Sequence, residues 1–403
     1  MSRNSSSEQL PVIDGMERRV NRYYLGVSRK YTAAGIGLML TLILYVIFVM
    51  LFLGQYVTYD NLKFLVRDMS ALSLPGSDSE YSSIVYNGSE DLVARSFRSG
   101  TAISTVDSYL YYDSGGGLLV EDQCSYSSPD MAVSDKYLLL YDVGGIGYSV
   151  YNQLTRIIER TSSQQIVTGD IADDGSLLLV TRSRETKYVV ELYNSAFNKS
   201  MSIYKENYVL GAALSPNGEY IVIASGVPAD TDLGCEISII KKGSDKPLYT
   251  SSYTHTMPLE VKAMADGFIL LCDNGIYFFD YSGGITASFD FSGMSLRYAD
   301  ITSNGAVIVG SVNALGSENR VTVLDISGET LYSEVIGERI TGAYASINHS
   351  DALCYLTVAD KVIKINSELE TEEITTEADI LSIVPLNKGA LICSRTSGVR
   401  AFS

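Results

Sequence analysis

The side chains that could do chemistry are few in this chain and widely spread. There are two histidines, His255 and His349. They lie far apart and form no HExxH pair, so no zinc site is indicated. His349, in Asn348-His349-Ser350, reads as a solvated turn residue. His255, in Ser252-Tyr253-Thr254-His255-Thr256, is the better candidate for touching a ligand, together with Tyr253. A serine hydrolase would carry G-x-S-x-G near a base, and that pattern is missing. The five cysteines, Cys124, Cys235, Cys272, Cys354 and Cys393, include no CxxC pair. Three of them sit in apolar runs (FILLC, ALCYL, ALIC) and read as small buried hydrophobes, with a single disulfide as the alternative. Asp230 and Asp232, in Val227-Pro228-Ala229-Asp230-Thr231-Asp232, could meet Ca²⁺ with backbone carbonyls. Their spacing lacks the full calcium-loop pattern, so a solvated charge pair is the preferred reading. Arg182, Arg184 and Glu185 occupy an equivalent loop one repeat earlier, and Glu318 and Arg320 two repeats later. No residue is assigned a catalytic, cofactor-binding or metal-binding role. The candidate binding face is Arg184, Glu185, Asp230, Asp232, Tyr253, His255, Glu318 and Arg320.

The elements that position these residues begin with Ala33 to Leu53, an uncharged apolar run long enough to cross a bilayer core as a helix. It exceeds the apolar core of a secretory signal and leads into no small-x-small cleavage site. The expectation is a retained anchor, residues 33–54, in the cytoplasmic membrane. The preceding tail, 1–32, carries Arg3, Arg18, Arg19, Arg22, Arg29 and Lys30, whereas Gly54 to Asn61 carry no Lys or Arg. The positive-inside rule then places the N-terminus in the cytoplasm and the C-terminal body outside. Val20 to Lys30 can prolong the spanning helix. A stalk, 55–80, contains a short amphipathic helix over Asp60 to Leu72, with Leu62, Leu65, Met69 and Leu72 at helical spacing.

From Tyr81 onward the periodicity changes to two. One unit recurs: an apolar strand, a tight turn, then a still more apolar strand. It appears as DIADDGSLLLVTRS (170–183), ALSPNGEYIVIASG (213–226), AMADGFILLCDNG (263–275) and DITSNGAVIVGS (300–311). The Asn-Gly and Asp-Gly pairs supply the positive φ that a tight hairpin needs. A second hairpin follows most copies, and the first turns recur about every 38–49 residues. Four-stranded units at that spacing predict an all-β β-propeller over 81–403, preceded by one transmembrane helix. About eight blades are expected, with seven as the alternative. The last blade, 377–403, has three strands of its own, and Ser83 to Tyr86 can supply the fourth and close the ring.

The repeat, with Ser215-Pro216-Asn217-Gly218-Glu219-Tyr220 and Val323-Leu324-Asp325-Ile326-Ser327-Gly328, resembles the WD40/PQQ-like propeller superfamily. The basic tail, single span and stretches such as KYLLLYDVGG (136–145) resemble a family of membrane-anchored propellers from Gram-positive, often anaerobic, bacteria. That resemblance implies a fold and a location, and no activity. Asp-box repeats of sialidase type are missing. The chain has no tryptophan, which disfavours a quinone-dependent dehydrogenase, while its 29 tyrosines keep a carbohydrate platform open.

The formal net charge is −17. The tail is basic, so the body is strongly acidic, which argues against a nucleic-acid partner. The expected function is a non-enzymatic binding or scaffold module, needing no cofactor, for a protein or cell-wall partner on the loop face. A carboxylate-based glycan-active enzyme using the central funnel, or an extracellular sensor, is the alternative.

Overall fold

The computed structural model describes residues 14–52, 84–86, 92–113, 115–229, 232–244, 246–291, 293–376 and 379–401. The chain divides into two compact units, residues 1–75 and 76–403. In the first, one helix, α1, spans Asp14–Phe52. It runs through the basic tail as the sequence allows, and its stretch Gly26–Ile47 is long and apolar enough to cross a membrane. Among the described residues none of that stretch is buried, and Leu38, Leu42 and Leu44 are all exposed. Within it the Thr41 hydroxyl donates to the Gly37 carbonyl at 2.9 Å, which satisfies that polar group inside the helix. The amphipathic helix expected over 60–72 lies outside the described residues.

The second unit is a ring of eight four-stranded antiparallel sheets. We number the blades in chain order and their strands A to D from the axis outward. Blade 1 runs from Val93–Phe97 to Leu118–Gln123, and blade 7 ends with Thr371–Thr375. Blade 8 takes its A to C strands from Ser382–Pro385, Ala390–Cys393 and Ser397–Ala401. Its D strand is Ile84–Val85, antiparallel to the last strand of the chain, with Ile84 opposite Gly398. The expected closure by the two ends of the propeller is therefore what forms, and the count is eight.

The apolar alternation explains the packing. Eight buried clusters lie one between each pair of neighbouring blades. B strands are enclosed on both faces, so they read as unbroken apolar runs: every residue of Gly267–Cys272 and Gly305–Ser311 is buried. D strands such as Ile285–Asp290 have one face in water and alternate. All five cysteines are buried and unpaired.

Two turn types repeat. Between C and D strands, an Asp or Asn side chain accepts two backbone amides. Asp325 Oδ1 takes those of Ser327 (2.8 Å) and Glu329 (2.9 Å), and Asn366 Oδ1 those of Glu368 (3.0 Å) and Glu370 (2.9 Å). The residue three beyond has positive φ, met by Gly328 in one turn and by Leu369 in the other. Between A and B strands, Gly175, Gly218, Gly305 and Gly389 have the expected positive φ. Gly267 does not. It is required there because a Cβ would run into the Phe279 carbonyl of the adjoining C strand.

The stretch around Pro228 corrects a second expectation. Its described residues do not form a free loop. The B strand runs to Ala229 and the C strand starts at Asp232, with Val227 opposite Gly234 and Ala229 opposite Asp232. The longest connection between B and C strands is instead in blade 6, between Ser311 and Asn319.

Candidate functional site

Antiparallel alternation puts B-to-C loops and D-to-A connections on one face of the ring, and A-to-B turns on the other. The A-to-B face is stitched to itself. The Asp135 amide donates to Asp173 Oδ1 (2.7 Å), the Asp173 amide to the Pro216 carbonyl (2.9 Å), and Asn348 Nδ2 to the Asn387 carbonyl (2.8 Å). Each bond joins one blade to the next, so these turns serve the ring.

The opposite face carries the sequence candidates. Arg184 and Glu185 are exposed in the blade 3 loop, held by the Ser183 hydroxyl, which accepts the Glu185 amide at 3.2 Å. Glu318 is exposed and Arg320 half-buried in blade 6. The side chains of Asp230 and Asp232 lie outside the described residues. His255 is exposed in the connection from blade 4 to blade 5, at a φ of 56°. That connection is pinned by Asn274 Nδ2, which donates to the His255 carbonyl (3.1 Å), and by Asp273 Oδ1, which accepts the Met257 amide (2.8 Å). Tyr253 is committed to packing: its ring meets Phe279 edge-on at 6.3 Å and its hydroxyl lies 3.3 Å from that of Tyr249. The candidates thus share one face but spread over blades 3 to 6.

Sequence reasoning missed what lies among them. In blades 3, 4, 5 and 6 the A strand carries a β-bulge at its start, at Val167, Leu210, Leu259 and Arg297. A bulge lets two successive side chains leave the core. Leu259 and Glu260 are both exposed, as are Arg297 and Tyr298. With Tyr208, Leu233 and Leu315, these make the loop face of blades 4 to 6 rich in exposed apolar groups.

The bulges also aim side chains at the axis. In blade 5, Val261 and Ala263 are buried in the core while Glu260 and Lys262 point the other way. Register against the B strands puts Arg95, Asp170, Lys262 and Asp300 at one level, each two residues before the turn. Cations and anions so alternate around the axis. Asp170 and Asp300 are spoken for: Asp170 Oδ2 accepts the Leu214 amide and Asp300 Oδ2 the Ala345 amide, both at 2.8 Å and both from the next blade. Burial pushes both carboxyls above their ordinary value, against Lys262 and these amides.

The level above holds Asp130 and Glu260. Asp130 accepts the Tyr141 hydroxyl at 2.8 Å and sits 3.8 Å from the Arg95 guanidinium. Glu260 makes no hydrogen bond or salt bridge among the described residues. It is exposed to water, yet its place on an innermost strand partly desolvates the carboxyl. That desolvation, followed by the Asp300 charge, pushes its carboxyl up to about 7, against Lys262 and Arg95. Glu260 feels Arg95 and Asp130 from blades across the ring, so the charged groups converge on the axis. Among the described residues no cluster has the makings of a metal site.

Residues 79–397 match the model of a family of unknown function (DUF5711), and the chain belongs to that family. No curated protein matches it. Among solved structures, a eukaryotic initiation factor is similar at 13% identity and a TM-score of 0.50, over 79% of this chain and 83% of that one. AztD from Citrobacter koseri, in its apo form, is similar at 12% identity and a TM-score of 0.49, over 76% and 89%. The Cps50 (Swd1) β-propeller domain of Myceliophteria thermophila is similar at 8% identity and a TM-score of 0.46, over 74% and 97%. Likeness at this level concerns the fold alone.

Proposed function

We propose that this member of the family is a membrane-anchored, non-enzymatic binding module. It captures a protein or cell-envelope ligand on the loop face of blades 3 to 6. The apolar segment 33–54 stays in the cytoplasmic membrane, with the basic tail inside and the propeller outside, as the flanking cations favour. The observation that carries the binding reading is the contrast between the two faces. One is tied up in blade-to-blade hydrogen bonds, whereas the other presents Tyr208, Leu233, Leu259, Tyr298 and Leu315 to solvent beside the exposed charges Arg184, Glu185 and Glu318.

The test is in-cell crosslinking of the full chain followed by mass spectrometry. A specific envelope protein or glycan should be captured by the parent. It should be lost when Tyr208, Leu259 and Leu315 are each changed to Ser. Capture that survives this triple variant refutes the assignment of the face.

A second reading has one observation in its favour. Glu260 is held partly protonated near neutral pH beside Asp300, the state a general acid needs. A glycan-active enzyme would then work from the axial channel. Hydrolysis of envelope glycans by the parent and not by Glu260→Gln would establish that reading in place of the first.

A further inference from the structure

Glu260 and Lys262 are opposite charges two residues apart on the same strand. Both face the channel, and they are not paired with each other. Successive same-face positions are separated by about 6.6 Å along a strand, so an ion pair between them is not enforced. Neither makes a hydrogen bond or salt bridge to any other described residue. Their neighbours are otherwise engaged. Asp170 and Asp300 hold amides of the next blade, and Asp130 is held by Tyr141 and Arg95. Among the described residues the channel thus holds an anion and a cation, two positions apart on one strand and reached by water, that neither a hydrogen bond nor a salt bridge ties up. The anion lies nearer the loop face and directly follows the Leu259 bulge that aims it inward.

We propose that this pair is a binding site for a small zwitterion, a molecule carrying an ammonium and a carboxylate on one short chain. The ligand lies along the innermost strand of blade 5. Its ammonium meets the Glu260 carboxylate towards the loop face and its carboxylate meets the Lys262 ammonium one level deeper. Asp130, on the level of Glu260, and Arg95, on the level of Lys262, reinforce the two ends in the same sense. A purely cationic ligand is opposed by Lys262 and Arg95, and a purely anionic one by Asp130 and Asp300. The site is distinct from the rim surface and does not depend on it.

The probe is γ-aminobutyrate, with n-butylammonium and butyrate as controls on the same four-carbon chain with one charge each. Calorimetric or ligand-observed magnetic-resonance titration of the full chain in detergent should show γ-aminobutyrate binding at least tenfold more tightly than either control. Glu260→Gln and Lys262→Met should each abolish that preference. The exchange variant Glu260→Lys with Lys262→Glu should restore it within a few-fold, with the ligand reversed. Thermal unfolding checks that each variant is folded, and the exchange variant keeps both charges should a single one fail to fold. Equal binding of γ-aminobutyrate and a control overturns the proposal. So does tight binding that survives both single substitutions.

Discussion

The ring is closed by three described residues at the start of the propeller, and breaking that closure should be costly. Ile84 and Tyr86 are 7% and 5% exposed, while Val85 between them is 74% exposed. Ile84 and Tyr86 join the cluster that seals blade 8 to blade 1, with Ala94, Ile103, Leu110 and Tyr112 on one side and Val384 and Leu391 on the other. The Tyr86 hydroxyl lies 2.7 Å from the Ser394 carbonyl and 2.8 Å from that of Ser397, and its amide donates to the Thr396 carbonyl at 3.1 Å. Truncating a buried Ile costs about 2–5 kcal/mol and a large aromatic about 3–5. The double variant Ile84→Ala with Tyr86→Ala should therefore lose about 5 kcal/mol or more. That is a large share of the 5–15 kcal/mol, roughly, that a folded domain has in total. Tyr86→Phe removes only the hydroxyl and should cost about 1 kcal/mol, and Val85→Ala should stay within about 0.5 kcal/mol. Urea unfolding followed by tyrosine fluorescence suits a chain with 29 Tyr and no Trp. A double variant whose stability falls by less than about 1 kcal/mol would refute closure by this strand.

Other consequences follow from single positions. Gly305 has a φ of 142° and a Cβ there would collide with the Leu324 carbonyl, so Gly305→Ala should destabilise by about 1–3 kcal/mol in the same assay. Leu369, exposed at a φ of 67°, should instead gain about 0.5–1 kcal/mol when changed to Gly. Glu260 has a carboxyl raised to about 7 in the folded chain against about 4.3 unfolded. Between those values the folded chain keeps a proton that the unfolded chain releases, so stability falls as pH rises through this window. Thermal unfolding of Glu260→Gln minus the parent should thus show a difference that grows from about pH 4.5 to about pH 7 and then levels off; a flat difference contradicts it. Replacing Leu38 and Leu42 by Arg adds about 2.5–3.5 kcal/mol each to insertion of α1, and the doubly substituted chain should wash off membranes in carbonate, whereas the parent stays.

What could be read from the residues alone was whatever is local. Helical length and the lack of charge mark α1, because being long and apolar enough to cross a bilayer is a property of one segment. Period-two runs punctuated by Asp-Gly and Asn-Gly reveal the blades, because a strand and its turn span only a dozen residues. Even closure by Ile84 and Val85 was legible, since blade 8 was one strand short. The loop face could be named, for strand alternation fixes the side on which His255, Arg184 and Glu318 emerge. Other features needed the fold. The Pro228 stretch reads as a loop, yet the ladder continues through it, with Pro228 opposite Leu233. The bulges at Leu259 and Arg297 have no residue signature, and they reset which side chains leave the core. The axial channel was invisible for a plainer reason. Its charges come from blades 1, 2, 3, 5 and 6, and the meeting of Arg95 and Asp130 with Glu260 depends on the curvature of the whole ring. No spacing along the chain encodes that curvature; only the stacking of eight twisted sheets on one another sets it.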